Sequence, residues 1–191
     1  MKHYIIYIPG LGDHYDGVRR FFLRFWKIYG VQAQLVPMQW YDGKSYQTKY
    51  DKITAAVTAA KEKGYTVSLV GESAGASMAM NAFARDKSLH RLISLCGVNS
   101  FHASVSPRIL AKSPAFKESL WHLAASQKIA VSQRHKNIIS IAALLDSVVS
   151  VSKNRISGVK NMRVFSVGHI TSILLCQSIF SLVIVREIKR K

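Results

Sequence analysis

Short apolar runs alternate along the chain with longer amphipathic ones. Tyr4 to Ile8 is a β-branched and aromatic run closed by Pro9-Gly10-Leu11-Gly12-Asp13, which predicts a buried strand feeding a glycine-rich loop. From Val18 to Tyr29 the period becomes helical. Val18, Phe21, Phe22, Phe25 and Tyr29 share the face predicted to meet the core, and Arg19, Arg20, Arg24 and Lys27 share the other. Gly30 ends that helix, and Val31 to Met38 reads as a second strand. A loop through Trp40, Asp42 and Gly43 leads to a helix from about Lys49 to Lys63. Tyr50, Ile53, Val57 and Ala60 point inward there, and Thr48 with Asp51 forms the expected capping box.

Thr66 to Val70 is the third predicted strand, Ala74 to Ala84 a helix, and Arg91 to Cys96 the fourth strand. Residues 97–133 are polar, with Pro107, Pro114 and a helix around Phe116 to Ala125; the segment reads as a small cap or an enlarged crossover. Asn137 to Leu145 is a strand ending at Asp146, and Met162 to Val167 is one ending at Gly168-His169, with a final helix from near Ile170. This alternation predicts an α/β class: three layers, about six mainly parallel strands, helices on both faces, in a single domain over 1–191. In such sheets reactive groups gather at the carboxyl ends of the strands.

Gly71-Glu72-Ser73-Ala74-Gly75 stands between a predicted strand and a predicted helix. A serine at so sharp a turn projects its hydroxyl off the sheet edge at a helix N-terminus. Gly71 and Gly75 remove Cβ atoms that would collide there, and the N–H after the serine is free to bind an oxyanion. A hydroxyl is a poor nucleophile at neutral pH, so it needs an imidazole to take its proton and a carboxylate to orient that imidazole. His169 and Asp146 sit at two other strand ends and supply both. Taken singly, Asp146 also fits a helix N-cap before Ser147 and Val148, and His169 a loop histidine bonded to backbone. Glu72 reads as a solvent-facing or salt-bridged neighbour of the serine.

Pro9-Gly10-Leu11-Gly12, the Gly71–Gly75 motif, Asp146 in Leu-Leu-Asp-Ser-Val-Val and Val-Gly-His169 together resemble a small α/β-hydrolase-fold serine hydrolase. The resemblance implies Ser73 as nucleophile, His169 as general base and then acid, and Asp146 as its orienting partner. It implies the backbone N–H groups of Leu11 and Ala74 as the oxyanion hole. Asp13 and His14 follow the oxyanion loop and are candidates for lining the substrate pocket. The implied activity is hydrolysis of a carboxylic ester, thioester or similar acyl bond through an acyl-enzyme on Ser73. Acyl transfer to an acceptor other than water fits the same residues. Pro9-Gly10 stands where the family usually has His-Gly, no Gly-Gly-Gly run follows, and the customary two leading antiparallel strands have no counterpart. The alternative reading is a catalytically idle fold acting as a basic binding module at a membrane or an anionic polymer.

Composition adds limits. At 191 residues, 49% hydrophobic and with four prolines, the chain is ordered and long enough to bury a core. Its net charge of +17 favours anionic neighbours, with only Glu118, Asp146 and Glu187 as acids after Phe101. Electrostatic contact with anionic surfaces is therefore expected, beside a small-molecule acyl substrate and with no specific nucleic acid. The two cysteines, Cys96 and Cys176, lie in apolar runs and read as buried free thiols, which suits a cytoplasmic location. Ile170 to Val185 is apolar but shorter than the ~20 residues of a membrane span, and reads as a buried terminal helix. No cofactor is expected. Gly10-x-Gly12 has Tyr15 in place of the third glycine of a dinucleotide fingerprint, Gly71 to Ser77 lacks the lysine of a phosphate loop, and His3, His90, His122 and His135 show no metal-ligand spacing. His102, in the predicted cap, has no evident partner.

Overall fold

The six apolar runs pair into one sheet. The computed structural model describes residues 2–100 and 105–190. The strands are β1 (His3–Ile8), β2 (Val31–Leu35), β3 (Thr66–Glu72), β4 (Leu92–Leu95), β5 (Ile138–Leu145) and β6 (Lys160–Val167). They stand in the order β2-β1-β3-β4-β5-β6, and every neighbouring pair is parallel. The chain starts in the interior of the sheet, steps outward to β2, then returns past β1 and runs to the other edge. The connections leaving β1 and β3 therefore part in opposite directions, which opens a crevice at the carboxyl ends of those two strands.

Among the described residues eight helices flank the sheet: α1 (Asp16–Arg24), α2 (Tyr46–Glu62), α3 (Gly75–Arg85), α4 (Pro107–Lys112), α5 (Pro114–Arg134), α6 (Val151–Asn154), α7 (His169–Gln177) and α8 (Ser181–Lys189). A 3-10 helix, Phe25–Tyr29, extends α1. Side chains of a strand alternate between faces, so each strand feeds two cores. Ile6, Ile8, Val67 and Leu69 pack with Ile53 of α2, Met78 of α3 and Phe116 of α5. Ile5, Tyr7, Val70 and Ile141 pack with Leu23, Trp26, Ile173 and Ile184 of the α1, α7 and α8 layer. His102 and the other residues of 101–104 lie outside the described residues; the rest of the 97–133 segment holds α4 and most of α5. α5 joins the α2 and α3 layer, where Ser119 Oγ meets Ser77 Oγ at 2.6 Å and the Ser119 carbonyl accepts from Asn81 Nδ2 at 2.9 Å.

Three local expectations are corrected. α1 turns a different face inward: Asp16, Arg19, Leu23 and, in the 3-10 helix, Trp26 are buried, whereas Val18, Phe21 and Phe25 are exposed. The inward arc carries the charged Asp16 and Arg19, so periodicity alone picked the more apolar, outer one. The cap of α2 is Ser45, whose Oγ accepts from Thr48 N at 3.2 Å, while Asp51 accepts from Gln47 Nε2 at 2.7 Å. The terminal apolar stretch is two helices, α7 and α8, bent by 61°, with Ile173, Cys176, Ile184, Val185 and Ile188 buried. Among the described residues no single helix is long and apolar enough to cross a membrane. Both cysteines are free and buried. Burial pushes the Cys176 thiol up to about 12, and Cys96, beside Cys176 and Asp146, is raised as well.

Candidate active site

The site begins where β3 meets α3. Ser73 follows the last residue of β3 with φ of 49°, a left-handed conformation that costs a non-glycine residue energy and that surrounding bonds must hold. They do so on both sides. Ser73 N donates to the Leu95 carbonyl at 3.0 Å, and the Ser73 carbonyl accepts from Ala76 N at 3.1 Å and Val98 N at 3.0 Å. A Cβ on Gly71 would lie 2.7 Å from Ala76 Cα, and one on Gly75 would fall on the Ile8 and Pro9 carbonyls. Strand, helix and first loop thus close around the serine as the glycine spacing predicted.

His169 opens α7 directly after β6, and Gly168 N, bonded to the Leu145 carbonyl at 2.8 Å, pins that turn beside the end of β5. His169 Nε2 lies 2.9 Å from Ser73 Oγ, and His169 Nδ1 lies 2.7 Å from Asp146 Oδ2. A carboxylate at Nδ1 favours the proton there, leaving Nε2 as the acceptor of the serine O–H. The other Asp146 oxygen accepts from Val148 N and Val149 N, both at 2.8 Å. The two roles read for Asp146 are therefore divided between its oxygens, though it closes a turn and α6 is capped at Ser150. Burial works to raise the Asp146 carboxyl, but the bonds from His169, Val149 and Val148 outweigh it and hold it below the usual carboxylate range.

Among the described residues, no group accepts from the Leu11 N–H or the Ala74 N–H. Leu11 belongs to a loop pressed on the serine: a Cβ on neighbouring Gly10 would come within 2.7 Å of Ser73 Cβ. Ser73 and His169 open into a mostly apolar cavity of about 180 Å³ with Leu11, Tyr15, Ile170 and Leu174 in its wall. Asp13 and His14 lie outside that wall. Asp13 Oδ2 accepts from Trp40 N at 3.1 Å, and His14 rests on the Tyr15 ring with centroids 4.0 Å apart.

Behind the serine lies a cluster that periodicity misplaced. Arg19, expected on the solvent face, is buried and donates to both oxygens of Glu72. Of the two readings of Glu72, the salt-bridged one holds. Its carboxylate also accepts from Tyr7 Oη at 2.6 Å, from Gln177 Nε2 at 3.2 Å and from Gly10 N at 3.2 Å. Arg19 Nη1 in turn donates to the Gly12 carbonyl at 2.8 Å and to Asp16 Oδ1 at 2.9 Å. Burial and the adjacent Glu72 carboxylate push the Tyr7 hydroxyl well above its ordinary range. The sequence held a partial signal: the glutamate lies two residues past the strand read as Thr66 to Val70, and β3 continues through it to Glu72, where burial requires a cation. Among the described residues, no three or more His, Cys, Asp or Glu side chains group as a metal ion would need.

No protein-family model matches the sequence, and no curated protein does. Solved structures do match. An alpha/beta hydrolase enzyme, MGS-MChE2, from the metagenome of sediments of the lagoon of Mar Chica, Morocco, superposes with a TM-score of 0.65 at 18% identity, over 97% of this chain and 90% of that one. The chain has the α/β-hydrolase fold. It is also similar to the ydeN gene product of B. subtilis, with a TM-score of 0.68 at 14% identity over 98% of this chain and all (100%) of that one. A structure described with LipS and LipT, two metagenome-derived lipolytic enzymes, gives 0.68 at 11% identity over 97% and 91% of the two chains. At such identities the likeness is one of fold.

Proposed function

We propose that the protein is a serine hydrolase that cleaves a carboxylic ester, thioester or similar acyl bond through an acyl-enzyme on Ser73. The observation that carries this reading is the continuous path Ser73 Oγ to His169 Nε2 at 2.9 Å and His169 Nδ1 to Asp146 Oδ2 at 2.7 Å. As Ser73 Oγ attacks the carbonyl carbon, its proton passes to His169 Nε2, and Asp146 stabilises the imidazolium. The N–H groups of Leu11 and Ala74 receive the oxyanion. Collapse breaks the bond to the leaving alcohol or thiol, which takes the proton from His169. A water then gives its proton to His169, attacks the acyl carbon and releases the carboxylic acid with Ser73 restored. The apolar cavity of about 180 Å³ suits a short acyl group. The likeness to a structure described with lipolytic enzymes supports an ester among these substrates.

The test is labelling by a fluorophosphonate probe at neutral pH, with wild type beside Ser73→Ala and His169→Ala. Wild type is expected to label and both variants to lose labelling, with hydrolysis of a short-chain ester falling by roughly 10⁶. A folded wild type that does not label would overturn the reading and leave the idle binding module.

A further inference from the structure

α1 and the 3-10 helix behind it carry three arcs instead of the usual two. With successive residues about 100° apart, Asp16, Arg19, Leu23 and Trp26 fall on the inward arc, and all four are buried. Val18, Phe21, Phe25 and Ile28 fall on an outward arc and are 42%, 52%, 48% and 77% exposed. With its inward arc already buried, a helix leaves its polar residues to face water, and an apolar arc on the far side is ordinarily covered by a second surface. The outer arc is also organised: the Phe21 ring meets Phe25 edge-on at 5.2 Å and Phe22 at 5.5 Å.

The third arc, beside the apolar one, is Arg20, Arg24 and Lys27. These three line a groove of about 320 Å³ against the edge of the sheet, with Tyr4 and Gln34 opposite. No carboxylate lies in its wall, and among the described residues none pairs with any of the three cations.

Charge decides what can cover such a face. A second copy, packed about a two-fold axis, would bring Arg20, Arg24 and Lys27 of each protomer towards those of its partner. Four part-exposed side chains also offer well under the ~800 Å² per partner that a stable dimer buries. An anionic lipid surface answers both halves of the face: headgroup phosphates suit the cations, and the boundary of the acyl chains suits the aromatic arc. We propose that this outer face of α1 and its 3-10 extension docks the protein on membranes rich in anionic phospholipid. The proposal does not depend on the chemistry of Ser73.

The experiment is co-sedimentation with sucrose-loaded vesicles at physiological salt, of phosphatidylcholine alone or in equal parts with phosphatidylglycerol. Wild type is expected to sediment with the mixed vesicles and not with phosphatidylcholine. Phe21→Ser/Phe25→Ser is expected to lose most of that binding, and Arg20→Gln/Arg24→Gln/Lys27→Gln to weaken it by roughly 100-fold. Circular dichroism checks the fold of each, and Ile28→Ser, at the most exposed position of the arc, serves if the double variant fails to fold. Failure of wild type to bind the mixed vesicles overturns the proposal. So does binding untouched by the aromatic variants, which would reflect general basic charge. Self-association in sedimentation velocity, abolished by the same variants, would also overturn it and assign the face to a second copy.

Discussion

Arg19 grips Glu72 at both carboxylate oxygens, Nε to Oε2 at 3.0 Å and Nη2 to Oε1 at 2.5 Å, across 53 positions of chain. Both side chains are buried, so neither charge has water to fall back on. Arg19→Met leaves Glu72 and Asp16 uncompensated and is expected to cost about 3–5 kcal/mol in urea unfolding. Arg19→Met/Glu72→Met is expected to recover much of that stability while ester turnover stays low. The bonds from Gly10 N to Glu72 and from Arg19 to the Gly12 carbonyl, which hold the loop carrying Leu11, are then gone.

Gly10→Ala tests that loop from the other side. The added methyl would stand 2.7 Å from Ser73 Cβ and 3.1 Å from the Glu72 carbonyl, so loop or serine must shift. Overpacking of this kind costs about 1–3 kcal/mol. Turnover of a short ester is expected to fall by about 100-fold, because displaced reacting groups lose far more rate than stability.

Asp146 links the site to pH. Its carboxyl is depressed, so the folded state binds that proton more weakly than the unfolded chain does. The resulting stabilisation is complete above the unfolded value of about 3.9 and is lost as pH falls through the lower folded value. The stability gap between wild type and Asp146→Asn is therefore expected at neutral pH and to narrow below about pH 4, as measured by denaturant titration. At neutral pH the variant is expected to lose about 10⁴ in kcat through the wrong imidazole tautomer.

Leu174 forms part of the cavity wall in front of Ser73. Leu174→Ala enlarges this apolar pocket of about 180 Å³, which on the proposed reading takes the acyl chain. In a series of acyl esters the variant is expected to prefer a longer chain than wild type. An unchanged optimum would mean that the acyl group lies elsewhere.

Burial holds the Cys96 and Cys176 thiols protonated, Cys176 at about 12. Iodoacetamide at pH 8 is therefore expected to leave the native protein unmodified and to label both cysteines in urea.

Much of this arrangement was legible in the sequence where the cause was local. Ile5 to Ile8 and Val67 to Val70 form strands because β-branched runs buried on both faces have few alternatives, and two glycines four positions apart mark the turn around Ser73. The order of Ser73, Asp146 and His169 at three strand ends was likewise readable. What could not be read depends on partners far away in the chain. Arg19 sits inward because Glu72 waits there, and a helical wheel contains no Glu72. Ser45 rather than Thr48 caps α2 because Lys49, one turn in, is drawn to Asp42 at 2.5 Å and to the Gln39 carbonyl at 2.9 Å, which starts the helix earlier. Tyr15 and Leu174 reach the cavity only through the packing of α1 beside α7.

His169 follows β6, the last strand of the sheet and one of its two edges. During synthesis Ser73 and its turn emerge long before the imidazole exists, and a serine alone is inert towards esters. On the proposed reading the pair is complete only with the outermost strand in place beside β5, which sets the imidazole 2.9 Å from a hydroxyl 96 positions earlier in the chain. The same edge is the natural place for the sheet to fray. On the proposed reading turnover reports on the integrity of that edge, and heating is expected to abolish it before the central strands give way.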